Sequence, residues 1–265
     1  MYKLILVILC LFIEIGAYAE NSYNISFKNG IYHITIPYNK HQNRINFILS
    51  DSLVTNKTIH KQEKAIFTLN TGFFDPNNGK TISYIYTNGK EAESPLFNEN
   101  LINNPYIMAN WDKIANRPEF RVIKQNGCWI YDITEHNTPY QGELITSAQG
   151  GPMLVPDMDL EKEFFVVKNS MGKVIRESAS VLHKTARTII GLKDNNIHIL
   201  IVTDKNPMTI YEARDLCKKL GFDKAMGFDG GSSTSFDYKN KIHVVSTGIK
   251  GDDTGRKLKS FLIYK

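Results

Sequence analysis

Short runs of apolar, β-branched and aromatic residues recur along nearly the whole chain, each closed by Asn, Gly, Asp or Pro. They are GIYHITIPY (30–38), RINFILS (44–50), KAIFTLN (64–70), ISYIYTNGK (82–90), FRVIKQNG (120–127), ARTIIGLKDNNIHILIVTD (186–204) and SFLIY (260–264). Runs this short, rich in Val, Ile, Thr, Tyr and Phe, fit a pleated, half-buried surface better than a helix. Asn88-Gly89 predicts a tight hairpin turn, because both central residues of such a turn need positive φ. A second hairpin is expected to turn at Asp194 to Asn196.

One segment has a clear helical period. Thr209 can cap the third amide while Glu212 reaches back, and Ile210, Ala213, Leu216, Cys217 and Leu220 share one face up to Gly221. Many strands and few helices predict an α+β domain: a mixed, largely antiparallel twisted sheet with the Thr209–Leu220 helix on one face. The helix sits between two apolar runs, ILIVTD and AMGFDG, which read as neighbouring strands ending at one edge with Asp204 and Asp229. Residues 98–118 mix Asn, Pro and aromatics without a period and are expected to be loop with one short helical piece, a connection or a flap.

The first 19 residues differ from the rest. Lys3 precedes an unbroken apolar run from Leu4 to Ile13, followed by Ala17 and Ala19 in a small-x-small pattern, which reads as a secretory signal removed before folding. The run is shorter than the ~20 residues that span a bilayer, so no membrane span is expected after cleavage and the protein is placed outside the cytoplasm, secreted or periplasmic. Residues 20–265 show no repeat or linker and are expected to form one domain. Cys10 leaves with the signal, and Cys128 and Cys217 either pair or remain free, with Cys217 on the apolar helix face.

The formal net charge is +5, and losing Lys3 and Glu14 leaves it unchanged. Lysines are mostly single, without the block of about five or six that marks a nucleic-acid arm, so nucleic acid is not an expected partner. The seven histidines show no His-x-His or His-Glu-x-x-His grouping. No metal or cofactor is therefore required by the sequence. A Ca²⁺ held by Asp and backbone oxygens stays open, because such sites leave weak traces.

Four segments carry candidate chemistry. In LNTGFFDP, an amide (Asn70) ends a strand, Gly72 allows close backbone approach and Phe73 is available to a ligand; Asp75, before Pro76, reads as a turn former. In SAQGGPMLV, Gly150 and Gly151 bend the chain, as backbone lying against a ligand or a strand requires. In TARTIIG, Arg187 lies in an apolar strand, where a guanidinium needs a carboxylate or an anionic ligand, and its planar fork suits phosphate. In GFDGGSSTSF, Asp229 is followed by Gly230 and Gly231, whose amides can form a nest, and by the hydroxyls of Ser232, Ser233 and Thr234. Singly, each reads as an ordinary turn or core segment.

In this order, with the capped helix between the last two, the four segments resemble the phosphodiester glycosidase family over Ala65 to about Ile263. Thr71 stands where the family commonly has Gly or Ala, and Ser232 where it often has a third glycine. The resemblance implies cleavage of the bond between sugar C1 and phosphate oxygen in a sugar-1-phosphodiester or phosphorylated glycan; many bacterial members are secreted, of unknown substrate, and loosely labelled as exopolysaccharide-related. It implies an oxocarbenium-like transition state needing a carboxylate near C1. On that basis Asp229 is the expected nucleophile or base, Arg187 the phosphate clamp, and Asn70 with the amides of Gly230 and Gly231 the orienting groups. Asp204 is the second carboxylate candidate, its plainer reading being a turn residue. Two alternatives stand beside this: a metal-dependent phosphodiesterase, and a non-catalytic glycan-binding module using Phe73, Trp111 and Trp129.

Overall fold

The structure is a computed structural model and describes residues 23–246 and 254–265. The signal-like segment Met1–Ala19 lies outside the described residues. The fold is α+β, and the strands form three main sheets rather than the single mixed one expected, with every ladder antiparallel. The first sheet runs Asn24–Lys28, Ile31–Pro37, Asn196–Val202, Arg187–Lys193, Lys224–Gly227, Met153–Val155. The second runs Ile242–Val245, Ser235–Tyr238, Phe67–Asn70, Leu258–Tyr264, Ile45–Val54. The third runs Lys90–Glu91, Ile85–Thr87, Glu143–Gln149, Pro118–Gln125, Cys128–Glu135, and a separate hairpin pairs Val166–Lys168 with Val174–Glu177.

Each apolar run named from the sequence contains a strand. Asn88 (φ 52°) and Gly89 (φ 75°) turn as expected, and Asp194 (φ 49°) and Asn195 (φ 56°) close the second hairpin. The three sheets meet around Phe47, whose ring lies 5.9 Å from Phe120 and 6.2 Å from Phe228. All three are buried, and removing each ring from water contributes roughly 1.5–3 kcal/mol. This shared core is what fixes the sheet edges relative to one another.

The helix spans Ile210–Leu220 with the expected capping box at Thr209 and Glu212, ended by Gly221 at φ 73°. Its buried face, Ile210, Ala213 and Cys217, packs against Leu154, Val155, Leu200 and Ala225 of the first sheet. Cys128 and Cys217 are both free, and burial pushes the Cys217 thiol up to about 12.

Residues 98–118 hold three short helices instead of one: Glu99–Ile102, Pro105–Met108 and Trp111–Ala115. The asparagines that obscured the period are the caps, since the side chains of Asn98 and Asn104 accept from the first-turn amides. Strand Pro118–Gln125 starts before the apolar run because it buries Glu119 and Arg121 against each other at 2.5 Å, with His136 2.9 Å from Glu119.

Candidate active site

The site forms where strand ends from two sheets converge. Strand Lys224–Gly227 pairs with Arg187–Lys193 in the register Ile189 to Gly227, so Asp229 emerges beside the start of the Arg187 strand. Three backbone bonds stitch the turn in place: Phe228 N–H to Thr188 O (2.8 Å), Asp229 N–H to Thr71 O (2.8 Å), and Gly231 N–H to Ala186 O (2.8 Å).

Asn70 is the peg of this junction. Its Nδ2 donates to Asp229 O at 2.6 Å, and its Oδ1 accepts from Thr188 Oγ1 at 2.8 Å and Ser235 N at 3.1 Å. The side chain is buried and both polar atoms are used by the protein, so Asn70 positions Asp229 and does not orient substrate. Gly231 departs from expectation for the same reason, its amide being bonded to Ala186; Gly230 directs its amide to the Asp229 carboxylate.

Asp229 is partly exposed. Loss of hydration raises its carboxyl from 3.8 to about 6, against the lowering effects of the Ser233 hydroxyl, Arg256, the Gly230 amide and Arg187. The carboxyl is therefore easier to protonate than an ordinary aspartate. Two guanidinium groups act on it, and the sequence pointed to one. Arg256 Nη1 donates to Ser232 Oγ (3.1 Å) and Ser233 Oγ (3.2 Å), and its guanidinium carbon sits 4.9 Å over the Phe74 ring. Ser232 is partly exposed, whereas Ser233 and Thr234 are buried. A basic residue just before the last strand was the sole trace of Arg256 in the sequence.

Arg187 lies beside Asp229 but is largely committed elsewhere. Nε donates to Met208 O (2.9 Å), and Nη2 donates to the carbonyls of Ser180 (2.8 Å), Val181 (3.3 Å) and His183 (2.7 Å). A Cβ placed on Gly230 would lie 3.5 Å from Nη1, so Nη1 is the edge that faces the Asp229 turn. The two-pronged phosphate fork expected of Arg187 is thus not presented, and burial lowers its pKa to about 10. The cavity between Phe73, Gly151, Arg187, Phe228 and Gly230 is about 10 Å³, room for one water. The turn opens to solvent on the side where Asp229, Ser232 and Arg256 are partly exposed.

The remaining sequence candidates fall around this centre. A Cβ on Gly72 would meet Ser83 Cβ at 2.7 Å, and one on Gly150 would meet Gly227 O at 2.5 Å, so both glycines serve close packing. Gly151 (φ 118°) bonds Gly227 O at 2.7 Å, and its missing Cβ leaves room for Glu163 Oε2. Glu163, unnoticed in the sequence, is buried with its carboxyl pushed up to about 8 by desolvation. Phe73 is buried beside Phe165, which removes it as an exposed stacking platform. Asp204 does end at the same sheet edge as Asp229, but the Arg187 strand lies between their strands, so they are not neighbours. It is exposed and accepts from Ser246 Oγ at 3.1 Å. Asp75 caps its own turn, accepting from Asn77 N at 2.8 Å. Among the described residues no three His, Cys, Asp or Glu side chains gather as a metal site.

Comparisons with known proteins complete the picture. Among solved structures, the fold is similar to the zebrafish N-acetylglucosamine-1-phosphodiester α-N-acetylglucosaminidase catalytic domain auto-inhibited by its pro-peptide (TM-score 0.63, 12% identity, 92% of this chain and 82% of that one). It is also similar to a protein from Burkholderia pseudomallei described as exported (0.63, 10%, 88% and 73%) and to a hypothetical protein from Synechocystis (0.54, 13%, 91% and 61%). No curated protein matches the sequence. The phosphodiester glycosidase family model matches residues 63–264. With that match spanning most of the chain, and the converging strand ends in place, this chain belongs to the phosphodiester glycosidase family.

Proposed function

We propose that the protein hydrolyses the bond between C1 of a sugar and the phosphate oxygen of a sugar-1-phosphodiester, on an envelope or extracellular glycan reached by export. The observation that carries this reading is one partly exposed carboxylate, Asp229, held at the meeting of two sheets with Arg187 and Arg256 acting on it. Family membership supplies the reaction class. The zebrafish enzyme's name, an N-acetylglucosaminidase acting on a 1-phosphodiester, supports the same bond, and the exported Burkholderia protein supports the location.

In this mechanism Asp229 acts at C1, as nucleophile or as the base that takes a proton from water. The C1–O bond breaks, water oxygen ends on C1, and the bonding pair leaves on the phosphate as a phosphomonoester. Phosphate is already a good leaving group, so positive charge at its oxygens replaces much of a strong general acid. Arg256, with an exposed face, is the main clamp; Arg187 contributes through Nη1 and tunes Asp229.

Asp229→Asn should lower turnover of a sugar-1-phosphodiester by at least about a hundredfold. Retained turnover removes Asp229 from the chemistry. Loss of wild-type activity in chelator would favour the metal-dependent phosphodiesterase or a Ca²⁺ requirement, and glycan binding without release of reducing sugar would favour a binding module.

A further inference from the structure

A cavity larger than the one beside Arg187 lies away from Asp229. It has a volume of about 680 Å³, within the range of small-molecule sites, and opens between the edge strand around Asp51 and Ser52, the turn at Asn77, and the segment carrying Glu93. Its floor holds a buried cation: Lys259 donates to Glu93 Oε2 at 3.0 Å and to Asp51 O at 3.2 Å. Glu93 also holds Lys80, Oε1 to Nζ at 3.3 Å. The two lysines and the two acids, Asp51 and Glu93, leave the wall neutral, and the shared Glu93 holds the two lysines in place. No aromatic side chain lines it.

A neutral wall gives no net attraction to a phosphate, and a wall without rings offers no stacking surface to a nucleobase or a sugar face, so a ligand here is held by hydrogen bonds. Charged and amide groups held in fixed geometry, with the hydroxyls of Ser50 and Ser52, suit a ligand that is uncharged and dense in hydroxyls. A path of packed side chains connects the cavity wall to the candidate active site. Arg256 rests on Phe74, Phe74 shares an apolar cluster with Leu53, and Leu53 lines the cavity; Lys259 follows Arg256 by three positions.

We infer that this cavity binds a neutral saccharide, the sugar residues joined to the unit whose phosphodiester is cleaved at Asp229. The link to cleavage rests on the function proposed above, while saccharide binding is tested independently. The variant D51A/S52A/N77A removes three exposed side chains from the lining and touches no group assigned to the chemistry.

Isotope-labelled protein titrated with maltotriose, and separately with triacetylchitotriose, should show NMR shifts at residues 50–53 and 77–80 for at least one of them. The triple variant should bind that sugar at least about tenfold more weakly. Binding of neither sugar, or equal binding by the variant, overturns the inference. A matched pair of substrates then tests the link, a monosaccharide and a trisaccharide 1-phosphodiester. The variant should lose about tenfold in kcat/KM on the longer and stay within about twofold on the shorter, and equal losses contradict the link. If neither diester is cleaved, the proposed hydrolysis fails, and the titration alone decides the cavity.

Discussion

At the scale of single residues, the carboxyl of Asp229 is set by competition. Burial penalises its charged form more than two guanidinium groups and two hydrogen bonds favour it, leaving it at about 6. In the proposed mechanism the ionised form is the reactive one, so kcat/KM should be full above that value and fall as the pH drops through about 6. Arg256→Gln removes a neighbouring positive charge and should move that inflection upward in the pH–rate profile, an effect that a purely structural role would not produce. Stability follows the opposite sign. The folded state holds the Asp229 proton more tightly than the unfolded chain, whose value is 3.8, so the stabilisation is present below about pH 4 and is lost as the pH rises to about 6. Asp229→Asn should therefore flatten the dependence of thermal stability on pH between those values. Asn70→Ala strands Thr188, Ser235 and the Asp229 carbonyl, and should cost about 2–3 kcal/mol by urea unfolding.

At the scale of elements, what the sequence disclosed was local and what it hid was not. The helix from Ile210 was readable because its cap, apolar stripe and terminal glycine lie within a dozen neighbouring residues. Asn70, Gly151, Arg187 and Asp229 were legible for the same reason: each is a polar residue or glycine that interrupts or borders an apolar run. What each one does was not legible. Arg187 looked like a clamp, because the three carbonyls that occupy its Nη2 come from residues 180–183, a segment without a pattern of its own. Arg256 was hidden because only the folded chain brings it against Ser232 and Ser233. Gly150–Gly151 read as a bend, and its reason is packing. Gly151→Ala forces a side chain into positive φ and within 2.8 Å of Glu163 Oε2, which should destabilise by about 2–4 kcal/mol in denaturant titration.

At the scale of the whole molecule, the α+β class followed from counting strands, but their division into three sheets did not. Strand runs fix which face is apolar and say little about partners far along the chain, and here residues as distant as Leu69 and Phe236 pair. The sheets meet at a common core, and that meeting places the strand ends bearing Asn70, Arg187 and Asp229 together, with Arg256 beside them and a polar cavity farther along the same sheet. The chemistry assigned to that junction is attack at carbon, not at phosphorus. Hydrolysis of a sugar-1-phosphodiester in ¹⁸O-enriched water separates the two by mass spectrometry of the products. The label should appear on the anomeric oxygen of the released sugar, with none in the phosphomonoester; label in the phosphate would contradict the account.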